Sequence, residues 1–167
     1  MKLFLTFFCL LLAGLNGCID TSKSIDTMPA DFRFEYRKGP THADRGGHPF
    51  YSIAPAANVK DIFIFRHGTL YKFYSKESGR LKDKEEDLIE MKIKGKALLP
   101  LYQAMVRNNF WELKDKYSDP DIMDGDYQLM KATANDRKKR VLQINYQHQA
   151  IKKIILVLKD LSTMTSR

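Results

Sequence analysis

Lys96-Ala97-Leu98-Leu99-Pro100-Leu101-Tyr102-Gln103-Ala104-Met105-Val106-Arg107-Asn108-Asn109-Phe110-Trp111 stands mid-chain and separates two runs of strand-like sequence. Leu98, Leu101, Tyr102, Met105 and Val106 fall on one stripe at helical spacing. Pro100 is expected in the first turn, where its missing N–H costs little. Asn108-Asn109 ends the helix, and Phe110, Trp111 and Leu113 should tuck its exit back into the core. Trp111 is the one Trp of the chain and is expected to be largely buried.

Upstream, Asp31 to Lys38 alternates, with Phe32, Phe34 and Tyr36 on one face and Arg33, Glu35 and Arg37 on the other, as a half-buried strand does. Gly39 to Pro49 reads as a loop. Asp61 to Arg66 and Thr69 to Ser75 read as a hairpin whose tight turn uses His67-Gly68. Its first arm, Ile62 to Phe65, is apolar on both faces, so it should be flanked on both sides. Lys76 to Asp87 is charged and solvated, and Leu88 to Lys94 should bury Ile89, Met91 and Ile93. Downstream, Asp126 to Ala134 and Arg140 to Gln147 form a second hairpin around Asn135-Asp136, with Leu142, Ile144 and Tyr146 inward. A last helix, Ala150 to Leu161, carries Ile151, Ile154, Ile155, Leu158 and Leu161. The order ββββ-α-ββ-α groups strands together. It therefore predicts an α+β fold, a mostly antiparallel sheet of about six strands with both helices packed on one face.

The chain has 167 residues, of which 44% are hydrophobic and 29% charged, with 9 Gly and 6 Pro, which excludes disordered, collagen-like and disulfide-scaffold classes. Formal charge is +8. Lys2 is followed by Leu3 to Leu15, an almost wholly apolar run of 13 residues, too short for the ~20 of a spanning helix. Residues 1–17 therefore read as a signal peptide. Residues 18–30 are polar and aperiodic and read as a flexible tether, leaving 31–167 as a single domain.

The leader ends in Leu15-Asn16-Gly17-Cys18, which resembles the lipobox of bacterial lipoproteins. The resemblance implies cleavage before Cys18 and lipidation of its thiol, with Asn16 departing from the usual small residue. Cysteine usage agrees. Cys9 lies in the leader, so the mature chain keeps Cys18 alone and forms no internal disulfide. Acyl chains at ~0.8 kcal/mol per buried CH₂ would anchor it stably. In Gram-negative bacteria an Asp after that cysteine retains lipoproteins in the inner membrane. Ile19 stands there, so the resemblance implies the cell envelope, on the periplasmic face of the outer membrane. Further along, Phe110, Trp111, Leu113, Asp115 and Tyr117 resemble the helix exit of an uncharacterised family of bacterial envelope lipoproteins. The likeness spans about two thirds of the chain and implies a fold without an activity.

Candidate chemistry is thin. His42, Asp44 and His48 share a Gly-rich loop and could offer zinc an N/O ligand set, but the spacing matches no zinc signature, and the loop reads as a surface excursion. Asp119, Asp121, Asp124 and Asp126 crowd one loop, but Met130 stands where an EF-hand needs its closing Glu, so Asp-based turn capping is the better reading. Arg137-Lys138-Lys139-Arg140 at a hairpin tip, with Lys152-Lys153 on the last helix, could meet phosphates of an anionic lipid or polymer. No catalytic signature is present: no Gly-x-Ser-x-Gly, no His-Glu-x-x-His, and no acid partner beside His67 or His148.

The expectation is a non-enzymatic lipoprotein with a binding or envelope role, with no metal or cofactor. Its partners would be the membrane through its anchor and an envelope protein or anionic lipid or polymer, and no nucleic acid. The alternative is an inhibitor or immunity-type lipoprotein that blocks a hydrolase or toxin. A stable 1:1 complex with a single enzyme would mark the second.

Overall fold

The computed structural model describes residues 25–40, 47–121 and 125–164. Strands β1 (Arg33–Pro40), β2 (His48–Pro55), β3 (Ile62–Ser75) and β4 (Arg80–Lys94) precede helix α1 (Gly95–Arg107) and one 3₁₀ turn, Phe110–Glu112. Then come β5 (Lys116–Ser118), β6 (Asp126–Ala134), β7 (Arg137–Ile144) and helix α2 (Gln149–Met164). The strands form one seven-stranded sheet in the order β4-β3-β2-β1-β6-β7-β5. Every pairing is antiparallel except the parallel β5–β7 pair. The fold is thus α+β with two helices and a mostly antiparallel sheet.

One face of the sheet carries the core. Phe34 faces Ile53 on β2 and Ala132 on β6, and Tyr36 faces Tyr51 and Met130. Leu98, Leu101 and Met105 of α1 and Ile151, Ile154 and Leu158 of α2 close over that face, all buried. The helical stripes are those the sequence spacing predicts, with Val106 only half-buried. The α1 stop also matches. Asn109 takes a left-handed φ of 51° and donates its N–H to the Val106 carbonyl, while Asn108 Nδ2 reaches the Ala104 carbonyl at 2.7 Å. Pro100 is the sixth residue of α1 and lies in its second turn, not its first. Ile25 and Met28, expected in the tether, pack against the core, and Gln103 Nε2 donates to the Ile25 carbonyl at 2.8 Å.

The first hairpin departs from the sequence reading. Its turn lies at 76–79, where Gly79 has φ 61° and its N–H reaches the Ser75 carbonyl at 2.9 Å. The expected turn residues His67 and Gly68 fall inside β3, at an irregularity in the β3–β4 register between His67 and Thr69. Gly68 is required there for a different reason: a Cβ on it would stand 2.8 Å from the Glu86 carbonyl oxygen of β4. Gly68→Val should therefore force the two backbones apart and cost about 1–3 kcal/mol in urea unfolding. A loss below about 0.5 kcal/mol would show that β4 gives way freely.

The charged stretch that reads as a solvated connector becomes the first half of β4. Lys82, Lys84 and Glu85 are exposed on this edge strand, and such charge keeps an edge from pairing with a second chain. Ile89, expected inside, is 45% exposed. β2, whose first two residues fall in the stretch that reads as loop, and β5 are not among the expected strands; Pro49 and Pro55 stand near the ends of the first, and three residues are too few to alternate in the second.

On β7 the expected inward set is out of phase by one residue. Val141 and Gln143 are buried, Leu142 and Ile144 are half-buried, and Tyr146 is 44% exposed. The cause is the register: Met130 faces inward and is paired with Val141, and a one-residue slip exchanges the faces of a strand. Burial of the Gln143 amide is tolerable because Oε1 accepts the His148 N–H at 2.6 Å and Nε2 donates to Gln128 Oε1 at 3.3 Å.

Candidate functional site

Residues that alternate with the core positions project from the opposite face of the sheet, and there the register gathers charge. One row runs Glu90, Arg66, Ser52, Glu35, Lys131, Arg140 across six strands. In the next row Arg33 faces Thr133, which faces Lys138. On the other side Phe50 faces Arg37, which faces Leu129. Strands β1, β6 and β7 thus present Arg33, Arg37, Lys131, Lys138 and Arg140 with Glu35 as their described carboxylate.

Glu35 is already engaged. It accepts from Arg37 Nε at 2.8 Å and from Lys131 Nζ at 3.1 Å. Arg37 also lies 3.9 Å from Glu85 and stacks over Phe50 at 5.2 Å. Arg33, Lys138 and Arg140 are exposed and make no ion pair among the described residues. Lys131 stands directly opposite Arg140, a like-charge pairing that costs stability. Arg33, Glu35, Ser52, Ala54, Lys131 and Thr133 border a shallow hollow of about 250 Å³.

The hairpin tip explains how the four-residue basic run divides. Asn135 and Asp136 both take positive φ, at 50° and 61°, as a type I′ turn requires. The Asp31 carboxylate pins the turn, accepting the Asn135 N–H at 2.8 Å and the Asp136 N–H at 2.9 Å. Beyond it, the pleat sends Arg137 and Lys139 to the helix side. Arg137 pairs with Glu112 at 2.8 Å and covers the Trp111 ring at 5.3 Å, while Lys139 pairs with Asp115 at 2.8 Å. Lys138 and Arg140 join the open face. The sequence cluster is therefore two neutralised cations and two open ones. Lys152 and Lys153 are exposed on α2, in the helical layer.

The Asp136 N–H holds the Asp31 carboxyl below its ordinary value of 3.8; partial burial opposes this, and the Asn135 N–H and the Arg33 guanidinium add to it. A carboxyl with a depressed folded pKa stabilises fully above the unfolded value and loses that contribution as pH falls through the folded one. Asp31→Ala should cost about 1 kcal/mol at pH 7, the worth of a pair of partly exposed turn hydrogen bonds. In urea melts the gap between parent and variant should close as pH drops below 3.8. A gap independent of pH would mean the carboxylate charge contributes nothing.

Among the described residues, the other expected sites do not converge. Cys18, with Leu15, Asn16 and Gly17, lies outside the described residues, as do His42, Asp44 and Asp124. His48 sits on β2 opposite Leu70. His67 packs against Phe65 and Tyr51, with ring centroids at 5.4 and 6.3 Å, and desolvation lowers its pKa. His148 caps α2, its Nδ1 accepting the Ala150 N–H at 3.3 Å. Asp119 Oδ1 accepts the Asp121 N–H at 3.1 Å in a turn, and Asp126 pairs with Lys38. Among the described residues no three His, Cys, Asp or Glu side chains gather as a metal site.

At the end of the sheet where β1 begins, a larger cleft of about 870 Å³ runs between Met28, Pro55, Val59, Ile62 and Leu99, with Lys60 and Lys96 among its lining residues. No described helix is long and apolar enough to cross a membrane. Sequence reasoning missed Arg33 and Lys131 as site residues. Their strand parity was readable, but the β1–β6 pairing that unites them joins segments nearly a hundred residues apart. No family model matches the chain, and no curated protein matches it.

Proposed function

We propose that this chain is a lipid-anchored protein of the bacterial envelope whose domain acts by binding and not by catalysis. The observation that carries the reading is Cys18, placed directly after a 13-residue apolar run in the sequence Leu15-Asn16-Gly17-Cys18. A thiol is the one side chain that can take diacylglycerol as a thioether, and the polar residues after it give the domain slack from the anchor. The open sheet face supplies a binding surface, since cations held opposite one another gain most from a partner that brings negative charge. Ile19 directs the proposed location to the periplasmic face of the outer membrane. Cells expressing the chain and fed labelled palmitate should yield a labelled product whose mature N-terminus is Cys18. An unlabelled product with its N-terminus elsewhere would make it a soluble exported domain.

A further inference from the structure

We infer that the helix-free face of the sheet is a docking surface for an anionic lipid bilayer, with Arg33, Lys131, Lys138 and Arg140 meeting headgroup phosphates. The inference rests on the anchoring reading above for which membrane is met, and on the geometry of the face for how.

Three observations carry it. The cations lie on adjacent strands β1, β6 and β7, with a shallow hollow of about 250 Å³ between Arg33 and Lys131. Ser52 and Thr133 border that hollow and place hydroxyl donors beside the two cations, a set suited to phosphate oxygens. The opposition of Lys131 and Arg140 is unfavourable in water and is relieved when a phosphate comes between them.

The chain length selects a membrane as the source of those phosphates. Six residues separate Cys18 from Ile25, the first described residue. Fully extended, the seven steps from Cys18 to Ile25 reach only about 25 Å. A domain held that close to the bilayer works at a high local concentration of headgroups, so modest affinity suffices. From Ile25, held beside α1 by Gln103, the chain runs to the end of the sheet where β1 starts at Arg33. Each Lys or Arg near an anionic surface contributes roughly a fivefold gain in partitioning at physiological salt.

The test uses the chain from residue 18 with Cys18→Ser, which retains every core side chain from Phe32 to Leu161; a cooperative thermal melt establishes that it and its variants fold. It is sedimented with vesicles of equal parts phosphatidylglycerol and phosphatidylcholine, and with vesicles of phosphatidylcholine alone. One variant carries Arg33→Gln, Lys131→Gln, Lys138→Gln and Arg140→Gln. A second has the same net charge but carries Lys96→Gln, Lys152→Gln, Lys153→Gln and Lys159→Gln on the helical side. The parent and the helical-side variant should bind the anionic vesicles and leave the neutral ones in solution. The face variant should lose roughly a hundred- to a thousandfold in partitioning. Equal binding by parent and face variant, equal losses in both variants, or binding to neutral vesicles as strong as to anionic ones would each overturn the inference. So would tighter binding to double-stranded DNA than to the vesicles, which would assign the face to nucleic acid. Because the tested chain carries no lipid, its result does not depend on whether Cys18 is acylated. A labelled Cys18 with a non-binding face would leave the anchor standing and remove the surface.

Discussion

Phe110→Ala should lower the unfolding free energy by about 3–5 kcal/mol, the cost of emptying a closed aromatic site in a core that relaxes only in part. Phe110 is fully buried in the 3₁₀ turn that follows α1, and its ring meets Trp111 edge-on at 5.5 Å and 82°. The left-handed Asn109 turns the chain so that Phe110 enters the core, and Trp111 is left half-buried at its margin. The expectation that Trp111 would be largely buried is corrected accordingly. One side of its indole is covered by the Arg137 guanidinium, which is itself held by Glu112. Trp111→Ala should cost less, about 1–2 kcal/mol, because much of its area is shared with a solvent-facing cation. Urea melts of both variants, followed by circular dichroism so that loss of the indole does not remove the signal, decide the ranking. A larger loss at Trp111 than at Phe110 would invert the account of this exit.

The contrast between these neighbours shows what was legible in the sequence and why. Helical stripes could be read because their period is local: Leu98 to Met105 and Ile151 to Leu161 face inward as spaced. The Asn135-Asp136 turn could be read because two residues able to adopt positive φ stand between alternating arms. Phase on β7 could not. Val141-Leu142-Gln143-Ile144 offers apolar residues to both faces, and a pairing with β6 chooses the one that buries Gln143. Gly68 misled for a related reason. A glycine between two apolar runs signals a turn, yet here it admits the carbonyl of a neighbouring strand.

The basic face has the same origin. Four consecutive cations at a hairpin tip look like one patch, but a strand separates odd from even, and Glu112 and Asp115 neutralise the half that points toward the helices. What remains becomes a surface only when β1 brings Arg33 and Arg37 alongside β6. Sequence proximity overstated one cluster and concealed the larger one. The resulting surface is costly to keep, since like charges oppose across β6 and β7 in a domain otherwise rich in matched ion pairs.

Cys18→Ser should abolish incorporation of labelled palmitate and leave the leader uncut. Serine offers a hydroxyl where thioether formation needs a thiolate-forming sulfur, so the diacylglycerol is not transferred, and the peptidase that acts after that transfer has no substrate. The apolar Leu3 to Leu15 run then stays attached and can hold precursor at the membrane. Fractionation alone would therefore miss the change, whereas label and precursor size report it directly. The fold should be untouched, because the nearest residue packed against the core, Ile25, lies seven residues beyond Cys18. Protease resistance of the domain in the variant should accordingly match the parent. Those two readouts separate the causes: lost label with an intact domain places the effect at the anchor, while a domain that becomes protease-sensitive would implicate folding. Label retained by the serine variant would mean that the acyl group sits on another residue, and Leu15-Asn16-Gly17-Cys18 would then have no part in anchoring the chain.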